Sequence, residues 1–536
     1  MRILPVNQRA LLVELDDLAQ TLGLHERLQQ APIAGVTTLV PAARTLLVHF
    51  APERITAAEL TRGLLAQPPS GGDHRQGERI EIPVHYAGED LDDVARLLDL
   101  TTDEVIRRHG EHDYRVAFCG FAPGFAYLAG GAGFDVPRRP TPRTRIPAGA
   151  VALAGTFSGI YPTASPGGWQ LIGTTPLEMW DVERTPAALL QPGMRVRFIA
   201  TDAPPERTSV PAPDIDTPAR DTSRADGGAL PVPMLEVIQP GLQTLFQDLG
   251  RPGQTDQGVS TAGAMDQGAL RAANRRVGNP SDAAALEIAL GGLRLRCHRP
   301  VLIGLAGAPL AVSIRTATGE TQLPAGDRPI ELAAGDVLTL GTPSAGLRSY
   351  LALRGGFEVA PVLGSRATDT LAKLGPAPLA RGDQLRAADL PVTALSLEPS
   401  PSRELPRSGQ TVTLDVVMGP RSDWFTARGR EMLCAQHWRV TPQSDRVGLR
   451  LEGEQALERA DDAELPSEGT VTGAIQVPAS GQPVLFLADH PLTGGYPVIA
   501  CVADHHLDLA GQIPADAHIR FNPITDFSPL GGEASS

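Results

Sequence analysis

The 536-residue sequence predicts a mainly β protein with an α+β N-terminal subdomain, assembled from several strand-rich barrel units. Three observations carry this expectation. From Val116 to Pro176, Gly, Pro and aromatic residues recur every few positions. The apolar runs between them, such as Val151–Ala154 and Trp169–Ile172, are short, which is the rhythm of short strands and tight turns. A second stretch, Ala474–Val502, echoes the first. IPAG (Ile146–Gly149) answers VPASG (Val477–Gly481), and SPGGW (Ser165–Trp169) answers LTGGY (Leu492–Tyr496). Farther on, ALLQPGMRVRF (Ala188–Phe198) answers LAGQIPADAHIRF (Leu509–Phe521), so one unit occurs at least twice. Finally, 56 Gly and 49 Pro favour a turn-rich chain.

Taken in order, residues 1–88 read as the α+β subdomain. RALLVEL (Arg9–Leu15) and TLLVHF (Thr45–Phe50) are strands, and Leu18–Gln29 and Thr56–Ala66 carry helical spacing with Thr56 as N-cap. Residues 89–202 form the first barrel. Thr101 and Glu104 make a capping box for a helix ending at Gly110, flanked by His109 and His112, which suit a helix C-terminus. Residues 203–232, rich in Pro, Asp, Thr and Ala without apolar period, are a semi-extended linker. Residues 233–400 hold a further barrel, in which Asp266 caps a helix over Gln267–Val277, stopped by Gly278 and Pro280. Glu331–Gly341 and Ser349–Phe357 are its clearest strands. Residues 401–536 hold the last barrel, ending at Phe521 before a frayed tail.

Composition narrows the function. A net charge of −14 argues against a general nucleic-acid binder, since phosphate contacts need a basic face. No apolar run approaches a membrane span. The N-terminus lacks the pattern of a secretion signal. Cys119, Cys297, Cys434 and Cys501 are widely separated, so a disulfide framework or zinc site is not expected and a cytoplasmic setting fits. Cys119 reads as a small apolar residue on a buried strand rather than a nucleophile. Lys373 is the single lysine. There is no Gly-rich P-loop ending in Lys, and no Met-Lys-Met setting for covalently attached biotin.

Polar residues cluster beside the Gly-rich turns: Asp248, Arg251, Asp266, Glu287, Arg354, Arg366, Asp369, Asp445, Arg446, Glu468, Asp489 and His490. Singly, each is explained by a turn or an ion pair; together they offer carboxylates and guanidinium groups to a phosphate, a carboxylate or a polarised amide. The run DHHLD (Asp504–Asp508) has metal-ligand residue types, but alternation along a strand or turn explains it equally, and no metal is assigned.

GFAPGFAYL, RIPAGAVALAG…GIYP and SPGGWQLIG resemble the B subunit of bacterial 5-oxoprolinase, also described as allophanate hydrolase subunit 1. GLQTLFQDLGRPG, GAMDQGALRAAN, VLGSRATDT, DRVGLRLEG, GAIQVP and TGGYPVIA resemble its C subunit, of the carboxyltransferase-like subunit 2 family. The resemblance implies cyclophilin-like β-barrels, one in the first half and two in the second. It also implies ATP-dependent opening of 5-oxo-L-proline to L-glutamate, with ATP accompanied by Mg2+, shared with a separate A subunit. Two alternatives accompany it: a carboxyltransferase acting on a urea-like amide with biotin on another chain, and a non-enzymatic regulator of a histidine kinase. A lactam is a poor electrophile, and phosphorylating its oxygen would create a leaving group. Without a P-loop, backbone N–H groups and arginines would have to hold the phosphate. Arg446, Asp489 and Gln476 are the expected catalytic residues. Arg145, Tyr161, Gly494, Gly495 and Tyr496 are the expected substrate contacts. In this reading Gln476 offers both a donor and an acceptor, Asp489 accepts from the amide N–H, and Arg446 pairs with a substrate carboxylate.

Overall fold

The computed structural model describes residues 1–67, 77–131, 133–202, 233–398 and 403–531. The expected linker, 203–232, lies outside them, as do the last five residues of the tail. Among the described residues no helix is long and apolar enough to cross a membrane.

The N-terminal subdomain is a four-stranded antiparallel sheet with the helices Leu18–Gln30 and Ala57–Leu65. Its strands are apolar on both faces because both faces are covered. Leu11, Val13, Leu46 and Val48 point to the helices. Their alternates Leu4, Leu12 and Leu47 pack against Phe486, Leu492 and Val498 of the last barrel. Thr56 and Glu59 form a reciprocal capping box. The tail does not fray at Phe521: the last strand continues to Thr525, and Leu530 pairs with Ile3 of the first strand.

The next unit has seven strands, here numbered within the unit: Arg79–Val84, Asp113–Cys119, Ala126–Ala129, Ala150–Ala154, Phe157–Ile160, Gln170–Thr174 and Arg195–Ala200. Their spatial order is 6-4-5-3-2-7-1. The last unit also has seven: Thr411–Met418, Trp438–Val440, Gly448–Glu452, Ala474–Gln476, Val484–Phe486, Val498–Val502 and His518–Thr525. They close into a barrel with the same cyclic order. In each unit the first and last strands run parallel. The echo in the sequence is therefore one topology used twice. The two differ at the seam. Strands 1 and 6 form a ladder in the last unit, whereas the first has a single bridge there, His85 with Thr174.

The middle unit consists of a six-stranded and a five-stranded sheet enclosing one apolar core, rather than a hydrogen-bonded ring. Asp266 caps its helix, Gln267–Arg276, by accepting from Ala269 N at 2.9 Å. That helix sits close on strand Val301–Gly307, where a Cβ on Gly304 would lie 2.6 Å from the Ala273 carbonyl.

Two local expectations change. The helix over Thr102–Glu111 runs through Gly110 and ends at His112. Thr101 caps it, but the Glu104 carboxylate bonds to Arg107 and Arg108, leaving the capping box half formed. DHHLD forms the helix Asp504–Ala510, pinned to strand Thr411–Met418. His505 Nε2 lies 2.9 Å from Asp415 Oδ2, and the Asp415 amide donates to His506 Nδ1.

Candidate active site at the junction of the halves

The Gly-rich turns of the two halves meet. Phe121 N, in the GFAPGF turn, donates to Thr493 Oγ1 at 3.0 Å. Gly120 has no room for a side chain there, because a Cβ would collide with Thr493. Nearby, Tyr127 Oη and Ser467 Oγ lie 3.2 Å apart, and Arg138 pairs with Glu464 at 2.7 Å. Gln257 fastens the same junction, its carbonyl accepting from Gly124 N and its side-chain oxygen from Ala188 N.

Between these contacts lies a cleft of about 770 Å³. Tyr127, Phe157 and Trp169 form its apolar wall, and Leu465–Ser467 close the opposite side. Its rim carries Asp16, Asp17, Asp135 and Glu464 against Arg44 and Arg138. The aromatic wall is backed by edge-to-face contacts: Phe125 lies 5.3 Å from both Trp169 and Tyr161, and 5.2 Å from Tyr127.

The structure separates the expected site residues into two groups. Gln476, Gly494, Gly495 and Tyr496 are together at the junction. Gln476 Nε2 donates to the Tyr496 carbonyl at 3.0 Å, and a Cβ on Gly494 would be 2.6 Å from that nitrogen. A Cβ on Gly495 would be 3.0 Å from the Arg138 side chain, so this turn touches one arginine of the cleft without itself lining it. Tyr496 is exposed. Tyr161 is buried beneath the aromatic wall, where burial pushes its hydroxyl pKa up. Arg145 is exposed on strand Arg143–Ile146.

Arg446 and Asp489 occupy a different place, buried at 1% and 0% exposure. Arg446 donates through Nε and Nη2 to the two Asp489 oxygens at 3.0 and 2.9 Å. It also donates to the Gly263 carbonyl at 2.6 Å and to Glu287. Asp489 accepts further from Thr370 N and Oγ1 at 2.8 and 2.7 Å. Glu287 accepts from Tyr350 Oη at 2.6 Å and from Met265 N at 3.0 Å. Burial alone would lower the Arg446 pKa, but Asp489 and Glu287 outweigh it and hold the guanidinium charged. All three Arg446 nitrogens are thus committed to the protein, contrary to the expectation of a substrate anion there. The network joins the middle unit to the last barrel and sets the turn beginning at Asp489.

Several polar residues singled out in the sequence belong to this framework. Asp248 accepts from Ser365 Oγ and Arg366 N, both at 2.6 Å. Arg354 donates to the Val277 carbonyl at the end of the helix. Glu468 pairs with the buried Arg421, which also reaches Glu14 of the N-terminal sheet at 2.7 Å. His109 bridges Tyr86 and Ser158 and stacks on Phe198, and burial pulls its pKa down to about 3. Burial pushes the Cys119 thiol well up, away from a nucleophilic thiolate. Lys373 is exposed.

Sequence reasoning did not single out Arg138, Tyr127 and Ser467 as site residues. The available signal was their position: Tyr127 lies in the GFAPGFAYL motif, and Ser467 directly precedes Glu468. Their pairing across 340 positions needed the fold.

Comparison with known proteins agrees with this two-part construction. Residues 1–190 match the family described as carboxyltransferase domain, subdomain C and D, and residues 257–523 match carboxyltransferase domain, subdomain A and B. The chain is 36% identical over 289 residues to the C subunit of 5-oxoprolinase from Escherichia coli (strain K12), covering 54% of this chain and 90% of that one. It is 48% identical over 128 residues to the B subunit of 5-oxoprolinase from Haemophilus influenzae, covering 23% of this chain and 60% of that one. The crystal structure of TTHA0988 superposes with a TM-score of 0.79 at 35% identity, covering 96% of this chain and 99% of that one. The chain belongs to the carboxyltransferase-domain family that includes the B and C subunits of 5-oxoprolinase.

Proposed function

We propose that this chain is the joined B-type and C-type component of an ATP-dependent 5-oxoprolinase, a hydrolase that opens 5-oxo-L-proline to L-glutamate with an A-subunit homologue. The observation that carries the reading is that one chain resembles both proteins and that both resembling halves build one cleft. A five-membered lactam has an apolar ring edge, an amide and a carboxylate. Trp169 and Phe157 suit the ring, and the Tyr127–Ser467 hydroxyl pair suits the amide oxygen. Arg44, exposed on the rim, suits the carboxylate. Gln476 and the Gly494–Tyr496 turn support the wall that carries Arg138.

The cleft does not suit a nucleotide triphosphate. Its two arginines face four carboxylates, and Arg138 is already paired with Glu464. We therefore place ATP on the A-subunit homologue. Four free cysteines fit a cytoplasmic setting.

The test is 5-oxoproline-dependent ATP hydrolysis by the full chain, with and without an A-subunit homologue. The expected result is turnover only with both, reduced at least about tenfold by Trp169→Ala, equivalent to about 1.4 kcal/mol in the barrier. Full activity of that variant would remove the cleft from the reaction. Absence of lactam-dependent turnover, together with carboxyl transfer from a biotinylated partner, would instead favour the carboxyltransferase reading. That alternative draws on 33% identity to urea amidolyase of Lachancea kluyveri over 313 residues.

A further inference from the structure

Arg138 belongs to the first barrel but is held in place by the last one. Its Nε lies 2.7 Å from Glu464 Oε1. A Cβ on Gly495 would lie 3.0 and 3.7 Å from Arg138 Nη1 and Nη2, and 3.5 Å from the Leu465 carbonyl. We infer that Arg138 is a catalytic residue of the cleft, donating to the lactam carbonyl oxygen as that oxygen gains negative charge, with Glu464 and Gly495 as its positioning residues. This rests on the lactam reading proposed above and names the group that polarises the amide.

Donor availability singles out Arg138. It lines the cleft, and its side chain is 33% exposed. Glu464 holds Nε, while Nη1 and Nη2 have no hydrogen-bond partner among the described residues. Arg446 is the contrast, with all three nitrogens bonded inside the protein. Arg138 keeps an open fork of N–H donors at a fixed place.

Its location fits the amide end of the substrate. Glu464, Leu465 and Ser467 belong to one short segment lining the cleft. Arg138 is fixed against Glu464 and beside the point where Gly495 meets Leu465. Two positions after Leu465, Ser467 Oγ meets Tyr127 Oη, the hydroxyl pair suited to the amide oxygen.

Charge divides the two arginines of the cleft between the two ends of the substrate. Arg44 donates to the Leu15 carbonyl at 3.4 Å and forms no ion pair with a described residue, so its full charge suits the permanent carboxylate. Arg138 is compensated by Glu464. A compensated guanidinium attracts a full anion weakly, yet its N–H groups still stabilise an oxygen whose charge appears only during reaction. In that step a water oxygen bonds to the carbonyl carbon, and the π electrons of the C=O bond pass to the oxygen facing Arg138. Collapse breaks the C–N bond. Its electron pair stays on nitrogen, which takes the two water protons, leaving an ammonium group and a second carboxylate.

The test is turnover of 5-oxo-L-proline by the full chain with ATP and an A-subunit homologue, beside calorimetric titration of each variant with 5-oxo-L-proline. Arg138→Gln should lower kcat at least about a hundredfold, while KM and the dissociation constant change less than about threefold. Melting should hardly change, because a partly exposed ion pair contributes little to stability. Gly495→Ala, which crowds the guanidinium, should lower kcat at least about tenfold by itself and have no further effect in Arg138→Gln. Retained kcat in Arg138→Gln would overturn the inference. So would weaker binding at unchanged kcat, which would make Arg138 a ground-state contact. A joint fall of turnover and melting temperature would overturn it too, making Arg138 a strap between the halves. Additive losses in the double variant would overturn the positioning role of Gly495. Absence of lactam-dependent turnover in the unaltered chain would instead overturn the lactam reading, and this inference with it.

Discussion

A guanidinium held by two carboxylates and a carbonyl has little left to offer a substrate. Arg446→Ala removes the cation from between Asp489 and Glu287 and leaves buried carboxylates without their partner. Breaking a buried pair in this way costs about 3–5 kcal/mol, so the melting temperature and turnover should fall together. Thermal denaturation alongside the activity assay checks this; a variant that melts normally but does not turn over would return Arg446 to the substrate. His109 makes a prediction of opposite character. Its folded pKa is about 3 because of burial, whereas the unfolded histidine titrates near 6.5. As pH falls below about 6.5, the unfolded chain takes up a proton that the folded chain refuses. This group's contribution to stability is therefore present above that pH and is lost progressively towards pH 3. His109→Gln should flatten the stability profile in that window, read by urea denaturation at a series of pH values. An unchanged slope would mean that other groups dominate it.

At the scale of turns and helices, Gly120 and Thr493 are the point where two chain segments 373 positions apart fit against each other. Gly120→Ala should push the turns apart at a cost of about 1–3 kcal/mol and reduce turnover. Adding Thr493→Ala removes the colliding side chain, so the double variant should regain much of the lost stability despite losing the Phe121 N–H···O bond. Additive losses would show that the contact is not the cause. Local features such as these helices were legible because their signals lie within a few residues. Thr56 and Asp266 cap as their sequence context indicates. Thr101 caps too, but the partner choice of Glu104 depended on which arginines lay on its helix face. The close approach at the Gly494–Tyr496 turn was legible because two glycines precede an aromatic residue. The commitment of Arg446 was not, since Glu287 is 159 positions away and the pairing exists only once two units dock. Tyr127 and Trp169 of the aromatic wall lie within the GFAPGFAYL and SPGGWQLIG motifs, whereas Phe157 lies outside them, and the role of all three depended on Leu465–Ser467 arriving opposite.

At the scale of the whole molecule, the halves are interlocked rather than strung together. The N-terminal sheet shares an apolar core with the last barrel, and Arg421 reaches across to Glu14. We propose that residues 203–232 are a tether between two parts that remain associated. Limited proteolysis should cut there first, and the nicked fragments should co-elute in gel filtration. First cleavage inside Val116–Pro176, or separation of the fragments, would contradict this. The pairing of Leu530 with Ile3 has a consequence for chain order. Because the two ends of the described chain meet at a single bridge, Ile3 with Leu530, the order of the halves is topologically interchangeable. A circular permutant that begins at Pro233, runs to the C-terminal tail, and returns through a short Gly-Ser connection to Met1 would keep every contact between the halves. It should fold with an unchanged cleft, because the junction is built by docking surfaces and is indifferent to which half is synthesised first.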